Sequence, residues 1–111
     1  MFPVRAVAAP SVREITLLGF DRELTSVEVI AEAAKAGLAR PVYEDALYFG
    51  ATYPDVQRES PIAFLHEPWF GFFGRWDVIS LWTNAGRREI GLEGFEERWR
   101  PDYRFAFVRP A

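Results

Sequence analysis

The side chains with most capacity for chemistry fall between positions 66 and 109 of this 111-residue chain. His66, the one histidine, precedes Glu67, a pairing that moves protons when the carboxylate raises and orients the imidazole. Adjacency alone rarely achieves this, and no serine, cysteine or second-histidine motif completes a catalytic set, so a hydrogen-bonded structural histidine is the favoured reading. Glu89, Glu93, Glu96 and Glu97 are of the type used in paired-carboxylate hydrolysis, but their spacing fits a solvated loop better. Arg87, Arg88, Arg98, Arg100, Arg104 and Arg109, interleaved with Trp99 and Tyr103, have the composition of a surface for single-stranded nucleic acid or phosphate. The nearby glutamates cancel much of that field, which favours surface arginines paired to acids with their stems on aromatic rings. Neither the P-loop pattern nor the dinucleotide fingerprint occurs.

The strongest local anomaly is HEPWFGFFGRWD at 66–77, where Trp69, Phe70, Phe72, Phe73 and Trp76 crowd around Gly71 and Gly74. Two glycines imply bends. A small core cannot enclose all five rings if they sit at a hairpin end, so some are expected to face solvent or line a groove. Exposed rings edged by Arg75 have the residue types of interaction hot spots. The plainer alternative is that the rings cap the core between helices and sheet.

The elements that would carry these residues can be read from local signals. EITLLGF (14–20) has strand composition. Thr25 and Glu28 form a capping-box pattern, and Val27, Ile30, Ala31, Ala34 and Leu38 fall on one stripe of a helix over 26–37 closed by Gly37. A second helix over 41–50, opened by Pro41, is expected to bury itself against the first helix and a sheet. Residues 53–61 read as a loop. Runs at 61–65, 76–83, 88–92 and 103–109 read as antiparallel strands, with Thr83 to Arg87 as a hairpin turn in which Asn84 and Gly86 accept positive φ. Tyr103, Phe105 and Phe107 alternate with Arg104, Ala106 and Val108 as in a half-buried strand. The expected architecture is α+β: a loose arm at 1–13, then one domain over 14–111 with two N-terminal helices packed on a small antiparallel sheet completed by the strand at 14–20.

From Gly37 to Arg109 the chain resembles a group of small bacterial proteins, through GLARP (37–41), YPDVQRESPIAFL (53–65), Trp69, GRREIGL (86–92), WRPDYRF (99–105) and VR (108–109). That resemblance brings no known activity. The Trp-bearing strands before an Arg-containing terminal strand also resemble C-type-lectin-like domains, including the formylglycine-generating-enzyme-like group. This resemblance implies that the first and last strands pair, with two helices beside them. Sugar-binding members hold calcium through Glu-Pro-Asn and Trp-Asn-Asp segments, whereas this chain has Glu67-Pro68-Trp69 and Trp82-Thr83-Asn84. Too few oxygen ligands are left for calcium. The formylglycine-generating chemistry uses cysteines, which the chain lacks.

Composition narrows the remaining classes. Half the residues are apolar, the formal net charge is −3, and there is no cysteine, which excludes disorder, disulfide frameworks and thiolate zinc sites. Twelve arginines and one lysine do not outweigh the acids, so a basic nucleic-acid face is not expected. Apolar runs are far shorter than the roughly 20 residues of a transmembrane helix. The start is too short and broken by Pro10 to act as a secretory signal, so the expected compartment is the cytoplasm. The leading expectation is a non-enzymatic module that binds a protein partner or its own copy through Trp69, Phe70, Phe72, Phe73, Arg75 and Trp76, with Trp82, His66 and Glu67 nearby, and with no cofactor or metal. The alternative is a small-ligand or carbohydrate-binding lectin-like domain in which Trp rings stack on the ligand and Glu67, Asn84 and Arg75 supply polar contacts.

Overall fold

The computed structural model describes residues 14–71 and 74–110; the expected arm at 1–13, Phe72 and Phe73 lie outside them. The element order is β1 (Glu14–Gly19), β2 (Leu24–Thr25), α1 (Ser26–Lys35), α2 (Tyr43–Thr52), a short 3-10 turn (Val56–Arg58), β3 (Ile62–Phe70), β4 (Trp76–Asn84), β5 (Arg87–Gly94), β6 (Arg98–Trp99) and β7 (Arg104–Arg109). Five strands form one sheet in the order β1-β7-β3-β4-β5, and β2 pairs with β6 beside it. The first and last strands pair antiparallel from Glu14↔Arg109 to Gly19↔Arg104. The fold is α+β, and its sheet departs from the all-antiparallel expectation at one place: β3 and β7 run parallel.

Strand alternation divides the core in two. Ala63, Leu65, Val78, Phe105 and Phe107 point to one face, where Val29 and Ala33 of α1 meet them together with Leu24 and Trp99 of the small β2–β6 pair. Ile62, Phe64, Ile79, Leu81 and Ala106 point to the other, under Ala46 and Phe49 of α2. The helices therefore lie on opposite faces of the sheet, which corrects the expectation that α2 packs on α1. The same sandwiching corrects the half-buried reading of β7: Phe105, Ala106, Phe107 and Val108 are all buried, because a helix covers each side.

The Thr25–Glu28 capping box forms, with the Glu28 amide donating to Thr25 Oγ1 (3.2 Å) and the Thr25 amide to Glu28 Oε1 (2.8 Å). Its carboxylate is held below the usual range, first by the Thr25 main-chain bond. The buried stripe of α1 is nevertheless Ser26, Val29 and Ala33, while Val27 is 68% exposed. Burial of Ser26 sets this rotation: its hydroxyl donates to the Phe95 carbonyl (2.5 Å) and accepts the Trp99 indole N–H (2.8 Å), fastening the helix start to β6. At the β4–β5 hairpin the positive-φ residues are Ala85 (52°) and Gly86 (83°), so Asn84 closes the strand rather than the turn.

Candidate functional site

The geometry of the aromatic segment starts from a bulge in β3. Up to Phe64 the strand pairs with β4 as Phe64↔Ile79; beyond it the register resumes as Trp69↔Asp77. Three more residues are spent on β3 than the unshifted register would need, an odd number that exchanges the faces of everything after the bulge. Trp69 thereby turns onto the α2 face, against Tyr43 (ring centroids 5.2 Å) and His66 (4.8 Å). Phe70 takes the opposite face and stands beside its cross-strand partner Trp76, edge to face at 5.1 Å.

His66 holds the bulge. It is 2% exposed; Nε2 accepts the Ile79 N–H (3.1 Å), so Nδ1 carries the proton and donates to the Glu67 carbonyl (2.8 Å). Arg40 completes the set, donating from Nε to the Leu65 carbonyl (2.9 Å), from Nη2 to the His66 carbonyl (2.8 Å) and from Nη1 to the Glu67 carboxylate (3.0 Å). Burial pushes the imidazole below its usual value and the Arg40 charge adds to this, against opposing contributions from the Glu67 carbonyl and carboxylate. Each imidazole nitrogen is thus taken up by a main-chain partner. Arg40 was not singled out by the sequence, because its role depends on three consecutive groups more than twenty positions away.

The turn that follows mounts the exposed rings. Gly71 N–H bonds the Arg75 carbonyl (2.7 Å), and Gly74 sits at φ +73°, a conformation that favours glycine. Arg75 is clamped by Asp77, Nε to Oδ1 at 2.6 Å, and Asp77 is fully buried with Oδ2 lacking a partner among the described residues. A Cβ on Gly71 would lie 2.5 Å from that oxygen, so any larger residue there must displace the carboxylate. Phe70 (64% exposed) and Trp76 (48%) flank a hollow of about 240 Å³ whose rim carries Arg75, Glu96 and Glu97. Asp77 is the residue missed here; an acid two positions from Arg75 was the available signal.

The remaining candidates are not gathered at this patch. Arg75 precedes the nine-residue β4 and Asn84 ends it, roughly 30 Å of extended chain apart, so they cannot hold one small ligand with Glu67. Trp82, half-buried near the Asn84 end, borders a groove of about 340 Å³ with Glu93, Arg100 and Tyr103. Its indole lies against Gly91, where a Cβ would come within 2.8 Å of Nε1, and this sealed N–H has no acceptor among the described residues. Polar groups around that groove bond one another: Gln57 donates to the Trp82 carbonyl (2.7 Å), and Arg100 grips Asp102 (3.1 and 3.2 Å). Among the other arginines, Arg98 meets Glu23 and Arg109 meets Glu14. Phe72 and Phe73 lie outside the described residues.

Among the described residues no cluster of three or more His, Asp or Glu is placed to hold a metal ion, and no helix is long and apolar enough to cross a membrane. Comparison with known proteins gives no further constraint: no family model, curated protein or solved structure matches the chain.

Proposed function

We propose that this domain is a protein-interaction module whose contact surface is the β3–β4 turn, with Phe70 and Trp76 as anchors and Arg75 as the polar edge. The observation that carries this reading is the exposure of the Phe70–Trp76 pair on a braced base: the rings face solvent while the bulge, the Arg75–Asp77 clamp and the turn hydrogen bonds fix their direction. Preset aromatic anchors bind with less side-chain ordering cost than mobile ones, and aromatic and Arg residues dominate interface energetics. Trp69 and His66 support the surface from behind rather than forming it.

A photo-crosslinking residue in place of Phe70, in the full chain expressed in its host, tests the reading. The expected product is one discrete protein adduct, lost on Trp76→Ala, with a melting temperature within about 3 °C of the parent because both rings are largely outside the core. The same adducts from a crosslinker at exposed Val27, or none from position 70, would refute it.

A further inference from the structure

β5 is the outer strand of the sheet, bonded to β4 on one side and to no strand on the other among the described residues. The hairpin fixes which main-chain groups look outward. A two-residue loop makes Asn84 and Arg87 the first hydrogen-bonded pair, and pairs alternate from there, so Glu89, Gly91 and Glu93 direct their N–H and C=O groups to β4. The Phe95 N–H bond to the Trp76 carbonyl (2.7 Å) continues this alternation. Arg88, Ile90 and Leu92 therefore present theirs to the open side. The Leu92 carbonyl carries a long 3.4 Å contact from Arg75 Nη2, which leaves it a second lone pair.

The side chains of Ile90 (62% exposed) and Leu92 (43%) lie on the α2 face, across from Leu81 and Ile79, and extend its apolar surface past the helix. Leu47 of α2, 47% exposed, faces Ile90 over a groove of about 280 Å³.

We infer that a second copy of this chain docks on this edge, β5 against β5 and antiparallel, so that two five-stranded sheets become one. The strand reads Arg-Arg-Glu-Ile-Gly-Leu-Glu-Gly, basic where it begins and acidic where it ends, and antiparallel pairing sets beginning against end. With Ile90 opposite Ile90 of the second copy, Arg87 faces Glu93 twice across the symmetry axis and Glu89 faces Gly91. A shift by one pleat sets Glu89 against Glu93 in one direction and against Glu89 in the other, and like charges directly opposite are destabilising. The selected register joins the outward groups of Arg88, Ile90 and Leu92 in about six main-chain hydrogen bonds. Exposed edges are commonly guarded by charges that repel a second strand; these charges complement one another instead. The Phe70–Trp76 pair takes no part, so this inference stands apart from the function proposed above.

Light scattering and sedimentation on the full chain test it. The parent should be a dimer. Ile90→Lys, which sets two ammonium groups across the axis at a position already exposed, should raise the dimer dissociation constant by at least about 100-fold, since like charges in contact oppose pairing. Arg87→Glu and Glu93→Arg should each weaken the dimer roughly tenfold, and the double exchange should restore it. Phe70→Ala with Trp76→Ala should leave it unchanged. A parent that stays monomeric up to about 0.1 mM, a weak limit for a specific contact, would overturn the inference. So would indifference to Ile90→Lys, single exchanges without rescue in the double variant, or a dimer lost with the aromatic pair and kept with lysine at position 90.

Discussion

Acidification through the imidazole range should loosen this domain at His66, because a protonated Nε2 cannot accept the Ile79 N–H (3.1 Å) and would face it as a second donor. The folded state lowers the imidazole's proton affinity, chiefly through burial and then through the Arg40 charge, with the Glu67 carbonyl and carboxylate opposing. The unfolded chain therefore binds the proton more readily, with a reference value of about 6.5. Stability should be flat above that pH, fall below it, and level off once the folded state is protonated too. One proton limits the slope to about 1.4 kcal/mol per pH unit. Urea unfolding between about pH 8 and 5 measures it, with His66→Gln reporting the background slope of the carboxylates. The variant should cost about 1–3 kcal/mol at the alkaline end, where it disturbs both main-chain bonds, and should lose the extra slope. Since the chain holds one histidine, its ring resonance in an NMR titration reads the same group without ambiguity. Equal slopes in parent and variant, or a native imidazole titrating at or above about 6.5, would refute the reasoning.

Ser26→Ala should cost about 1–3 kcal/mol in denaturant unfolding, because it strands the Trp99 indole N–H and the Phe95 carbonyl; a loss under about 0.5 kcal/mol would mean that water replaces the hydroxyl. Ala85→Gly should raise stability by about 0.5–1 kcal/mol by removing a left-handed alanine at φ 52°, and a lower melting temperature would contradict this. Gly71→Ala forces the Asp77 carboxylate away from its 2.5 Å approach and with it the Arg75 clamp, for a loss of about 1–3 kcal/mol; unchanged calorimetric stability would show that the turn adjusts freely. Trp69→Ala should cost about 2–4 kcal/mol and Phe70→Ala less than about 1 kcal/mol, a contrast that vanishes if the bulge does not sort the two rings as described.

What could be read from the sequence was the part set by neighbours a few positions apart. Thr25 and Glu28 announce the start of α1, and the run from Thr83 to Arg87 announces a hairpin, because both signals close within one turn of chain. The rotation of α1 was not legible, since Ser26 is drawn inward by Trp99 and Phe95, some seventy residues on. Burial of Ala106 and Val108 likewise depends on what covers the second face of β7, not on the strand's own alternation. The surplus of rings at 69–76 drew attention to the β3–β4 turn, but composition cannot say which ring faces solvent. That choice falls to the register shift after Phe64, stabilised by His66 and Arg40 from two separate stretches of chain.

The proposed β5 contact surface has a cause in the dimensions of the fold. Five strands spaced by about 4.8 Å span about 19 Å between outer axes, while a helix is about 10 Å wide, so one helix cannot roof a face. On the α1 face the β2–β6 pair adds cover through Leu24 and Trp99, and the β5 residues pointing that way are Arg87, Glu89, Gly91 and Glu93. On the α2 face the outer strand instead offers Ile90 and Leu92. A domain that functions alone would gain by the reverse arrangement, with charge on the strand its helix does not reach. Apolar side chains kept where the fold leaves them wet, on an edge whose charges suit its own reverse, favour an arrangement in which other chains supply the missing cover.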